Sequence, residues 1–130
     1  MYSCVIADAS EVFREGFQRL LHDHNDFQCV FASASGDEAL RACVRYRPDF
    51  IVVDERLHDQ TSTALVSRLS KLQPAPLVIG TSLFNEQSVR QRFLDAGAAF
   101  IPKTLLMSAL PQELAELLGT CATQTEGGAP

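Results

Sequence analysis

The chain has 130 residues, a formal net charge of −5, 46% apolar residues and 21% charged residues. That length suits one domain around one core, and the acidic balance argues against direct contact with nucleic acid or an anionic membrane surface. No apolar run is long enough to span a bilayer and no basic-then-apolar leader is present, so a soluble, cytoplasmic chain is expected.

Short apolar runs alternate with helical patterns. The first run is SCVIA (3–7), followed by a helical stretch with Val12, Phe13, Phe17, Leu20 and Leu21 at three- and four-residue spacings on one face. FQCVFAS (27–33) is the second run. Ser35 and Glu38 then have the spacing of a capping box, which starts a helix carrying Ala39, Leu40, Cys43 and Val44 and ending before Pro48. FIVVD (50–54) is the most apolar run, as expected of a central parallel strand covered on both faces. A helix with Leu65, Val66, Leu69 and Leu72 follows, punctuated by Pro74 and Pro76. PLVIGT (76–81) is the fourth run, and Asn85 is the expected cap of a helix carrying Val89, Phe93 and Leu94, with Gly97 at its C-terminal end. AFIPK (99–103) is the fifth run. The last helix is expected to begin near Ser108, to hold Pro111 in its first turn and to carry Leu110, Leu114, Leu117 and Leu118. From Cys121 onward the apolar period is lost, so 1–120 reads as one domain and 121–130 as a linker-like tail, where either the chain ends or a longer protein was cut at the joint. Cys4, Cys29, Cys43 and Cys121 form no C-x-x-C pair, and buried reduced thiols are expected rather than a disulfide or zinc framework.

Alternating strands and helices of this kind predict an α/β fold, an open, doubly wound parallel sheet of five strands with right-handed crossovers. In such folds a ligand site lies beyond the carboxyl ends of the strands. The residues at those ends are Asp8, Asp54, Thr81 and Lys103. Two carboxylates suit a hard divalent cation such as Mg2+, which takes oxygen ligands. A hydroxyl and an ammonium suit the oxygens of a phosphoryl group. Carboxylates can accept phosphoryl groups, so Asp54 reads as the acceptor.

These residues, with PDFIVVD, VIGTS and AGAAFIPK around them, resemble the receiver domains of bacterial two-component response regulators over nearly the whole chain. VFREGFQRLL (12–21) is similar to the first helix of receivers attached to LuxR/NarL-type DNA-binding output domains. The resemblance implies a flavodoxin-like sheet with strand order 2-1-3-4-5 and a phosphoryl group passed from a sensor histidine kinase to Asp54. It implies Thr81 and Lys103 as contacts to that group, Thr81 and Phe100 as switch residues, and Mg2+ held by Asp8, Asp54 and the backbone carbonyl of Arg56. It further implies a homodimer that reaches DNA only through an output domain, with no enzymatic activity beyond self-catalysed phosphotransfer and autodephosphorylation at Asp54. Four departures stand out. The usual pair of acids after the first strand is Asp8-Ala9, which implies weakened magnesium binding, with Glu11 or Glu55 as substitutes. The usual proline and glycine after the acceptor are His58 and Ser62. Thr104 replaces the usual proline after the lysine, so a trans bond is expected there. The alternative that Ala9 supports is a receiver-like interaction module that works without phosphate.

Overall fold

The computed structural model describes residues 1–108, 114 and 116–119. The elements are β1 (Tyr2–Ala7), α1 (Glu11–His22), β2 (Phe27–Ser33), α2 (Gly36–Tyr46), β3 (Phe50–Asp54), α3 (Ser62–Leu69), β4 (Leu77–Thr81), α4 (Gln87–Asp95) and β5 (Ala99–Phe100). All strand pairs are parallel, in the order β2-β1-β3-β4-β5. The expected fold class and strand order are therefore those found.

The sheet separates two apolar layers because side chains alternate along each strand. Val5, Ala7, Ile51 and Val53 face α2, α3 and α4, where they meet Cys43, Leu65, Leu69 and Phe93. Cys4, Ile6, Phe50 and Val52 face the other way, onto Phe13, Phe17 and Leu21 of α1 and onto Leu106, Leu114 and Leu118. Every residue of β3 is buried, which is why FIVVD reads as continuously apolar. Each fully buried side chain of this size contributes about 1.5–3 kcal/mol.

The helices follow their patterns with corrections at the edges. Ser10 caps α1 by accepting from the Phe13 N–H, and Phe13, Phe17 and Leu21 form the buried stripe. Val12 does not belong to that stripe: it is 83% exposed, one residue and so about 100° off the face. Val44 and Leu94 are likewise exposed, for the same reason. Ser35 caps α2 by accepting from the Glu38 N–H at 3.2 Å. The return arm of the expected capping box runs through Ser33, whose hydroxyl donates to Glu38 Oε2 and accepts from the Ser35 N–H. α2 stops at Tyr46, ahead of Pro48, with Arg47 in the left-handed region as its C-cap. α3 ends at Leu69, so Leu72 lies beyond it, although it still packs on the core.

Asn85 is not the cap of α4. Glu86 holds that position and makes no side-chain capping bond. Gly97, with φ of +93°, follows the last helical turn, where a side chain would be strained. The fifth run is a strand only at Ala99–Phe100. The Ile101 N–H still donates to Gly80 O, but Pro102 has no N–H to extend the ladder. Pro102 instead directly precedes a helix over 103–108, five residues earlier than expected from Ser108. Leu114 and Leu118 are buried as expected; Leu110, Pro111 and the tail 121–130 with Cys121 lie outside the described residues.

Candidate phosphoacceptor site

Three strand ends converge here. Asp8 follows β1, Asp54 ends β3, and Lys103 follows β5 across β4. The Lys103 ammonium lies 2.9 Å from Asp8 Oδ2 and 3.1 Å from Asp54 Oδ1. All three residues are buried, at 1%, 4% and 9% exposure for Asp8, Asp54 and Lys103. The Lys103 N–H donates to Ser82 O at 2.9 Å, which fixes the start of its helix against β4. Its ammonium also sits 4.4 Å from the centre of the Phe13 ring, a cation–π contact that holds the charge over the acids.

The carboxylates are anchored from their own loops. Asp8 Oδ1 accepts the Ser10 N–H at 2.8 Å, and the Arg14 guanidinium donates to Asp8 O at 2.6 Å. Asp54 Oδ2 accepts the Arg56 N–H at 3.0 Å, which leaves Oδ1 to the side of Lys103. Asp8 Oδ2 is buried, and its contact is the ion pair with Lys103. Burial is the main reason the Asp8 carboxyl is pushed above the usual carboxylate range, and the Asp54 charge adds to it. The Ser10 N–H and Lys103 pull the other way.

Thr81 occupies its expected place but not its expected posture. It is paired in register with Asp54. Its hydroxyl, however, donates to Ile101 O at 2.7 Å rather than facing the acids. Phe100 is buried, packed on Phe93 at 5.8 Å, with the Arg90 guanidinium 5.7 Å from its ring. The Arg56 carbonyl, expected as a metal contact, accepts the Ala9 N–H at 3.2 Å. A carbonyl oxygen has a second lone pair, so that bond does not remove it as a ligand. The peptide bond from Lys103 to Thr104 is trans, as expected. His58 is exposed, and its N–H donates to Ala34 O.

An all-oxygen donor set of two carboxylates and a carbonyl, with one carboxylate oxygen lacking a hydrogen bond, fits a hard divalent ion completed by water. Among the described residues no group of three or more His, Cys, Asp or Glu is placed to hold a metal ion, and Ala9 adds no carboxylate beside Asp8. Glu55, named as a substitute, is held instead by the Ser82 hydroxyl at 2.9 Å. The site opens into a cavity of about 780 Å³, walled by Ala9, Val12, Phe13, Leu83, Phe84 and Met107.

Two supporting residues escaped the sequence reading. Phe13 scored only as core. Asp59 accepts from the Gly36 N–H at 2.8 Å, the Asp37 N–H at 3.1 Å and the Ser35 hydroxyl at 2.9 Å, tying the loop after Asp54 to the start of α2. The backbone N–H groups of Asp37 and Gly36 hold its carboxyl down to about 2. No local signal marks an acid whose partners lie some twenty residues away.

The family model for the response regulator receiver domain matches residues 4–115. The chain is a response regulator receiver domain. Such domains act in two-component signalling by phosphorylation-driven switching, generally with Mg2+ at the phosphorylation site, as partners of sensor histidine kinases. Among relatives, a protein-glutamate methylesterase/protein-glutamine glutaminase from Saccharophagus degradans is 35% identical over 105 residues, covering 78% of this chain and 28% of that protein. The oxygen regulatory protein NreC of Staphylococcus epidermidis is 28% identical over 95 residues, covering 72% of this chain and 44% of NreC. The receiver domain thus spans less than half the length of these curated relatives. Among solved structures, the signal receiver domain of the response regulator NarL from Mycobacterium tuberculosis superposes with a TM-score of 0.82 at 20% identity, covering 91% of this chain and 96% of that one. Among the described residues of the receiver domain, no helix is long and apolar enough to cross a membrane.

Proposed function

We propose that Asp54 accepts a phosphoryl group from the phosphohistidine of a sensor kinase in the cytoplasm. The observation that carries this reading is the single ammonium of Lys103 bridging two buried carboxylates at 2.9 and 3.1 Å. The Arg56 N–H fixes Asp54 Oδ2, which leaves Oδ1, beside Lys103, as the oxygen that attacks phosphorus. As the new O–P bond forms, the N–P bond to the imidazole breaks and the kinase histidine leaves. Lys103, already beside Oδ1, neutralises charge that builds on the phosphoryl oxygens. Asp8, Asp54 and the Arg56 carbonyl would hold Mg2+, which offsets phosphoryl charge when bound.

The Thr81 hydroxyl then exchanges its bond to Ile101 O for a phosphoryl oxygen. That loss frees the segment next to Phe100, and the α4–β5 face shifts between two populations. On this reading residues 1–120 form the switch, and 121–130 lead to a DNA-binding output domain of LuxR/NarL type that the switch pairs by homodimerisation. The chain itself is not an enzyme beyond phosphotransfer to, and hydrolysis at, Asp54. Incubation with a magnesium salt and acetyl phosphate is expected to add one phosphoryl mass to the wild-type chain and none to Asp54→Asn. An unchanged wild-type mass, beside a control receiver that reacts, contradicts the reading.

One observation favours a second reading, a module that signals without phosphate. Ala9 removes an acid, and its N–H engages the Arg56 carbonyl. On that reading Asp54→Ala has little effect, and Ala9→Asp creates magnesium binding that the wild type lacks. On the leading reading Ala9→Asp only tightens binding already present. Titration calorimetry of the two chains separates them.

A further inference from the structure

We infer that Cys29 is a hydroperoxide-sensitive thiol which Cys4 resolves into an intramolecular disulfide. Cys4 of β1 lies opposite Cys29 of β2 in register, and the ladder slips immediately afterwards, between Cys4 and Val5. Residues opposite each other in a parallel pair share a face of the sheet, and both cysteines pack in one cluster with Phe27 and Phe50. The Cys29 thiol donates to Phe31 O at 3.5 Å, on its own strand, beside the Cys4 position. Facing Cα atoms on neighbouring strands are about 5 Å apart, within the span of a disulfide.

The two thiols occupy different settings, and the difference assigns their roles. Cys4 is 0% exposed. Cys29 is partly exposed and lines a surface cavity of about 790 Å³. Arg19, His22 and His24 line the same cavity. The neighbouring Cys4 thiol lowers Cys29 from the usual thiol value, and the neighbouring Cys29, together with burial, raises Cys4. A partly exposed thiolate-prone cysteine beside a second thiol is the arrangement that peroxide chemistry requires. Cys43, in contrast, is buried and pushed up to about 12 by that burial.

The chemistry closes without a further reactant. The Cys29 thiolate attacks one peroxide oxygen, the O–O bond breaks, and the other oxygen leaves as alcohol or water after taking a proton. Cys29 is then a sulfenic acid. The Cys4 sulfur attacks it, the S–O bond breaks, and the departing hydroxide takes the Cys4 proton to leave as water. Two thiols lose two electrons to the peroxide, and a disulfide joins the edge strand β2 to β1. The two sulfurs are not joined in the structure. Nothing in this step uses Asp54, so its outcome is independent of phosphorylation.

The test treats the full chain with hydrogen peroxide, blocks residual thiols with iodoacetamide, and maps peptides without reduction. The expected result is a Cys4–Cys29 linked peptide that dithiothreitol cleaves, with Cys29 consumed about tenfold faster than Cys43. Cys4→Ser is expected to yield no link and to accumulate a dimedone-reactive sulfenic acid at Cys29. If peroxide instead consumes Cys43 or Cys121 while Cys4 and Cys29 remain singly alkylated, the inference is overturned. A Cys29–Cys29 link between two copies overturns it as well.

Discussion

Two buried carboxylates share one ammonium, so the site carries one uncompensated negative charge. The Asp8 carboxyl is raised above its usual value chiefly by burial, and the Asp54 charge adds to it. An acid whose folded value exceeds its unfolded value costs stability when ionised in both states. The cost is present above the raised value and fades as pH falls through it toward the usual carboxylate range. Asp8→Asn is therefore expected to raise Tm at neutral pH, with the gain shrinking on acidification; thermal melts across pH check it. Lys103→Met has the opposite sign. It leaves Asp8 and Asp54 facing each other with no counter-charge, and breaking a buried pair from one side costs about 3–5 kcal/mol. Urea titration at neutral pH measures it, and a loss below 1 kcal/mol, on the order of an exposed pair, contradicts the buried geometry.

The strands and the helix order were legible because their signals are short-range and periodic. Five apolar runs alternating with helical patterns led to the sheet, and the strand-end rule led to Asp8, Asp54 and Lys103. What the sequence hid depends on distant partners or on single bonds. Val12, Val44 and Leu94 lie one residue off a buried stripe, a shift that apolar spacing alone does not resolve. The early start of the helix at 103 follows from Pro102 closing the β5 ladder, and the Asp59 tie to α2 links loops far apart in sequence. Thr81 lies at its expected strand end, but the direction of its hydroxyl depends on Ile101 O, 20 residues on and just past the neighbouring strand. The same locality makes a prediction for β4. A Cβ at Gly80 would collide with the Phe93 ring. Gly80→Ala is expected to displace Phe93 and, through it, Phe100, at a cost of about 1–3 kcal/mol for overpacking. Denaturation midpoints together with the ring proton shifts of Phe93 and Phe100 test this.

Across the whole molecule, the central strands β1, β3 and β4 bring the acids and the hydroxyl to one edge, while β5 brings the lysine and the Phe100 segment. The route from site to surface is short. It runs from Asp54 to its register partner Thr81, through one hydroxyl bond to Ile101 O, to Phe100 and the Arg90 guanidinium on α4. On the proposed function, a phosphoryl charge on Asp54 acts on that bond. The account rests on Asp54 being the atom that receives phosphorus, and one measurement reaches it. After incubation with magnesium and acetyl phosphate, borohydride reduces an aspartyl phosphate to homoserine, and peptide sequencing locates it. The account predicts homoserine at position 54 alone; homoserine at another acid, or an intact Asp54 throughout, contradicts it.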